Sequence, residues 1–107
     1  MIINAKKTGY ESQYGLRDKD LFNIAKIKVK TLKESKESFA LFISTTDTHF
    51  PDGIYDERME DIISPQKTNL EFTIASLDFL IGDFISFLKQ QDILQNTSIY
   101  LFPDHLK

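Results

Sequence analysis

The segment from Leu70 to Leu88 constrains the fold of this chain more than any other. Leu70, Ile74, Leu77, Ile81, Phe84, Ile85 and Leu88 recur at the helical period for over five turns. Phe72, Phe79, Leu80 and Phe87 widen the apolar arc well beyond one stripe. Only a strip through Glu71, Asp78, Gly82, Ser86 and Lys89 suits water. Such a helix expects cover on several sides, and a chain of 107 residues offers little to cover it. A missing partner or missing chain is the expectation, including a homo-oligomer formed through this apolar helix. Thr68 or Asn69 is placed to cap its start.

An earlier helix is expected after Asp18, which stands in an N-cap position before Leu21, Phe22, Ala25, Val29 and Leu32. Lys26, Lys28, Lys30, Lys33 and Lys36 form a basic stretch, read as a solvated helix face with a polyanion site as the alternative. The net charge of -3 provides no general attraction to nucleic acid or anionic lipid, so no nucleic-acid partner is expected. Hydrophobic residues at 41% and charged residues at 27% are ordinary globular values, which argues against disorder. With no cysteine, a disulfide framework and a thiolate metal site are both excluded. No apolar stretch reaches the roughly 20 residues that span a bilayer, and no signal peptide is visible, so the chain as written reads as soluble. Residues 1–17 read as a loosely ordered lead-in.

Two short apolar runs, Phe39–Ile43 and Ser98–Phe102, have strand length. Apolar on both faces, they suit central parallel strands. Strand, long loop, helix, strand describes a right-handed parallel βαβ unit, so the fold class expected is α/β. The carboxyl ends of the two strands would share one sheet edge, where open α/β sheets bind ligands. Asp47 and His49 follow the first run; Asp104 and His105 follow the second. Carboxylate oxygen beside imidazole nitrogen is a donor set for one divalent ion. Thr45, Thr46 and Thr48 read as turn formers rather than nucleophiles, and Asn96-Thr97-Ser98 as a turn rather than a glycosylation site.

The stretch Phe39-Ala40-Leu41-Phe42-Ile43-Ser44-Thr45-Thr46-Asp47-Thr48-His49-Phe50-Pro51-Asp52-Gly53 resembles a strand-and-loop segment of the bacterial phosphoglycerol transferases that modify periplasmic glucans. Asn96-Thr97-Ser98-Ile99-Tyr100-Leu101-Phe102-Pro103-Asp104-His105-Leu106 resembles their second signature. The helix between is similar in length and pattern, and the likeness runs from about Asp18 to the end. Lipoteichoic acid synthases and sulfatases share the layout more distantly. The resemblance implies an alkaline-phosphatase-like (sulfatase) sheet with flanking helices, of which residues 1–107 would be a fragment. It implies a divalent metal (Mn, Zn or Mg) held by Asp104 and His105, and a His49 that faces the substrate phosphate or the leaving group. It further implies a parent that is membrane-anchored and extracytoplasmic, with a glycerophosphate-type donor and a glycan acceptor. The family's threonine nucleophile and remaining acidic ligand match nothing in this sequence, so the chain alone is expected to be inactive. A sulfatase or phosphodiesterase of the same superfamily, and a non-catalytic assembly module, are the alternatives.

Overall fold

The computed structural model describes Ser12 and residues 15–103. Two helices dominate it, α1 (Asp18–Glu34) and α2 (Asn69–Gln90), with single 3-10 turns at Glu57–Met59 and Leu94–Asn96. Both helices expected from the sequence are present, but on α2 the buried centre departs from the expected stripe: Ile74 is exposed, and Leu70, Leu77, Ile81, Phe84 and Ile85 are only half-buried. On α1, Phe22, Ala25 and Val29 are buried at steps of three and four residues. On α2, Phe72, Leu80 and Leu88 are buried, and the strip Glu71, Asp78, Gly82, Ser86 and Lys89 is exposed as expected. Thr68 caps α2, its side chain accepting the Glu71 backbone N–H.

The helices lie side by side and run the same way. Phe22 shares a cluster with Leu80, and Val29 shares one with Leu88. Between these levels Lys26 reaches Asp83, and beyond them Lys33 reaches the Gln91 carbonyl past the end of α2. The basic stretch is therefore partly engaged by α2 rather than wholly solvated; Lys26 also lies 5.7 Å from the centre of the Phe87 ring.

Parallel neighbours need a connection that returns the chain along the helix length. At 1.5 Å per residue, α1 is about 25 Å long. The extended stretch from Phe39 to Thr46, at about 3.3 Å per residue, covers the same distance in reverse. Phe39 and Leu41 pack against Val29, Leu88 and Ile93 near the ends of the helices, while Thr46 meets Asp18 at the start of α1. The core has two centres. Phe22, Met59, Phe72 and Leu80 form one; Val29, Leu88 and Ile93 form the other; Phe84 packs against both. Phe22 and Phe84 meet as a tilted ring pair, with centroids 5.7 Å apart.

The α/β expectation fails here. Phe39–Ile43 and Ser98–Phe102 are not strands, and among the described residues the sole β-bridge is Ser12 with Gly15. Among the described residues there is thus no parallel βαβ unit and no alkaline-phosphatase-like sheet. A strand exists only where a neighbour takes up its backbone N–H and C=O groups. Residues 39–44 and 98–103 have no backbone hydrogen bond to any described residue. Nor are the two runs covered on both faces. Phe39, Leu41 and Ile43 are half-buried, but Phe42 stands out into solvent, and Tyr100, Leu101 and Phe102 are exposed. The Asn96-Thr97 turn is present, with the Thr97 N–H donating to the Leu94 carbonyl.

Candidate functional site

The loop that carries His49 is fastened to the start of α1 by a reciprocal exchange of backbone and side-chain hydrogen bonds. Asp18 was expected to cap its own helix. Instead the helix begins at Asp18, and its carboxylate turns to the loop. Asp18 Oδ1 accepts from the Thr46 N–H at 2.8 Å and the Asp47 N–H at 3.2 Å. Asp47 Oδ2 in turn accepts the Asp18 N–H at 3.2 Å, satisfying one of the donors that a helix start leaves unpaired. Arg17 closes the clasp, donating from Nε to Asp47 Oδ1 at 3.2 Å and from Nη2 to the Ile54 carbonyl at 3.1 Å. The Thr46 hydroxyl donates to the Leu16 carbonyl at 2.8 Å, a turn-forming role.

A second charged group lies alongside. The Arg58 guanidinium spans both carboxylate oxygens of Asp20, at 3.0 and 2.9 Å, and also both of Asp56, at 3.0 and 2.8 Å. Asp18 and Asp20 both sit in the first turn of α1, where the helix dipole favours negative charge.

Burial decides the ionisation of this region. Asp18 is only 2% exposed, and burial pushes its carboxyl up to about 6 despite the opposing amide of Thr46. The nearby Asp47 charge adds to the rise, while the Asp47 amide and the Arg17 charge oppose it. Asp18 Oδ2 has no hydrogen-bond partner, so nothing stabilises charge on that oxygen. Burial also raises Asp47, against the charge of Arg17 and the Asp18 amide. Asp56 goes the other way: burial raises it, but the side chain and backbone amide of Arg58 outweigh that and hold it below the usual carboxylate range.

Between Asp47 and Ile54 the chain makes a tight excursion. The His49 N–H donates to the Thr46 carbonyl, the Gly53 N–H to the His49 carbonyl, and the Ile54 N–H to the Asp47 carbonyl. Gly53 has φ +72, and a Cβ there would lie 3.0 Å from Thr73 Oγ1 and 3.2 Å from the Asp47 carbonyl oxygen. Gly53→Ala is therefore expected to lose about 2 kcal/mol, from left-handed strain and overpacking together. Thermal denaturation of the variant checks this; an unchanged midpoint would refute the close approach.

His49 is exposed at the tip of this loop, with Nδ1 at 2.8 Å from the Phe50 carbonyl oxygen. Asp47 turns inward into the clasp. Asp104 and His105, the expected metal ligands, lie outside the described residues. Among the described residues no three metal-ligating side chains come together. The sequence reading missed the clasp: Arg17 and Asp47 are 30 residues apart, and Arg58 and Asp20 are 38 apart. Only the density of Asp and Arg in a loop flanked by apolar segments could have hinted at it.

The chain resembles known proteins over nearly its full length. It is 31% identical over 100 residues to phosphoglycerol transferase I of Citrobacter koseri. It is 30% identical over 101 residues to phosphoglycerol transferase I of Escherichia fergusonii, and 30% identical over 100 residues to that of Salmonella typhi. Each match covers 91% of this chain but 13% of the relative. No family model and no solved structure matches the chain.

Proposed function

Because this chain is homologous to one segment of the phosphoglycerol transferases, we propose that it is a partial catalytic domain of a metal-dependent enzyme of that kind, inactive by itself. The observation that carries this reading is the alignment of 91% of the chain with 13% of each relative. The parent moves phosphoglycerol from a glycerophosphate-type donor to a glycan hydroxyl in the cell envelope, within the sulfatase superfamily. No described helix is long and apolar enough to cross a membrane.

Within that parent, Asp104 and His105 would hold a divalent ion, Mn, Zn or Mg. Their hard oxygen and borderline nitrogen suit these metals, though two donors do not complete a site. The ion would supply charge stabilisation to a phosphoryl oxygen. His49 meets the substrate phosphate. Its Nδ1 lies 2.8 Å from the Phe50 carbonyl oxygen, a contact that helps to orient the ring. The clasp of Arg17, Asp18 and Asp47 supports this by anchoring the loop at its base, which limits the positions His49 can take.

The test is a graft. A phosphoglycerol transferase I carrying these residues in place of its own matching segment is expected to keep transfer activity. His49→Ala in the graft should lower kcat/KM by about tenfold or more, and the isolated chain should transfer nothing. Transfer by the isolated chain, or an active graft indifferent to His49→Ala, would overturn the proposal. A graft that hydrolyses its donor without passing it to a glycan would instead favour a phosphodiesterase.

A further inference from the structure

We propose that two copies of this chain associate by reciprocal strand exchange, residues 98–102 of each copy pairing with the unpaired edge at residues 39–44 of the other. This stands independently of the transferase reading. The two segments are complementary halves of a β-pair. Residues 39–44 form an edge already seated on the core: Phe39, Leu41 and Ile43 are half-buried, Ala40 and Phe42 point out. Residues 98–102 form a loose apolar arm, with Tyr100 79%, Leu101 69% and Phe102 75% exposed. Neither segment has a backbone hydrogen bond to a described residue, and neither is bonded to the other. Neither carries a charge, so the pairing sets no like charges directly against each other. Natural edges are usually blunted by charge, proline or a bulge, and residues 39–44 contain no charged residue and no proline.

The alternation sets which faces meet. Tyr100 and Phe102 share one face of the arm and fall beside Phe42, an aromatic cross-strand group on the solvent side. Ile99 and Leu101 then join Phe39 and Leu41 over the Val29, Leu88 and Ile93 cluster. A buried aromatic side chain removes about 150–250 Å² from water. Pairing would cover part of Phe42, 87% exposed, and of Tyr100 and Phe102, together with Leu101 and the backbone of both segments, on the order of 500 Å² from each copy. Two copies thus reach the roughly 1,000 Å² that a specific interface requires. A second copy fits better than an unrelated partner because one chain holds both halves, and a two-fold dimer satisfies each of them twice.

Sedimentation of the full chain over about 1–200 μM is expected to show a monomer–dimer equilibrium. Phe42→Lys and Tyr100→Lys should each weaken it by about tenfold or more. Both residues are exposed, so circular dichroism should show an unchanged fold. An equimolar mixture of the two variants should associate more tightly than either alone, because one of its two contacts is built only from native segments. Ile74→Lys, on α2, should change nothing. A monomer at every concentration would overturn the proposal. So would a dimer weakened by Phe42→Lys alone with no gain on mixing, or one dissolved only by Ile74→Lys.

Discussion

Asp47→Ala is expected to destabilise the chain by about 3–5 kcal/mol, the cost of removing one partner from a buried ion pair. The substitution takes the acceptor from Arg17 Nε and from the Asp18 N–H together. Arg17, itself buried, would keep only the Ile54 carbonyl as a partner. For a domain with about 5–15 kcal/mol in total, that loss is a large fraction of its stability. Urea unfolding of the variant beside the parent measures it. Asp47→Asn retains one oxygen and should lose about 1–3 kcal/mol. Replacing both charges, Arg17→Met with Asp47→Leu, should cost less than Asp47→Ala alone, since burial already opposes the Asp47 charge. The half-buried pair of Lys26 with Asp83, open to solvent on one side, sets the opposite limit: Lys26→Ala should cost about 1 kcal/mol or less. An Asp47→Ala variant as stable as the Lys26→Ala variant would mean the clasp does not hold the loop.

The helices were legible because helical burial writes itself into the sequence at a fixed period. Phe22, Ala25 and Val29 repeat a step that only a helix turns to one side, and the polar strip from Glu71 to Lys89 marks the other side of α2. Thr68 was legible as a cap for a similar reason, since the bond it makes is three residues away. Phe39–Ile43 and Ser98–Phe102 misled because an apolar run reports that a segment avoids water, not who takes its backbone hydrogen bonds. The first run lies flat on the helices by alternate residues, and the second is not covered at all. Asp18 was read locally, as a cap, when its carboxylate serves the amides of Thr46 and Asp47 across the fold. His49 was recognisable as a loop residue, but the reason that its loop is held, a pairing of Arg17 with Asp47 across 30 positions, has no periodic signature.

Stability is expected to fall as pH rises from about 4 to about 6, by about 3 kcal/mol, through Asp18. Its folded carboxyl is pushed by burial from 3.8 up to about 6, so over that window the folded chain binds the proton more tightly than the unfolded chain. The stabilising contribution is complete below 3.8 and lost once pH passes about 6, after which it no longer changes. Asp47, also raised by burial, acts in the same direction. Asp56 opposes them: held low by Arg58 in spite of burial, it stabilises above 3.8 and loses that contribution as pH falls through its lowered value. Its effect therefore belongs to more acidic solutions than the Asp18 window. The groups that face Asp18 are Arg17 and Asp47. Asp18→Asn keeps an oxygen for the amides of Thr46 and Asp47 and carries no titrating proton. Urea midpoints of the parent should drop steadily between pH 4 and 6.5, and those of Asp18→Asn should drop clearly less, the contribution of Asp47 remaining. Parallel curves for the two proteins would place the pH dependence outside Asp18, which would then be ionised in the fold at no cost.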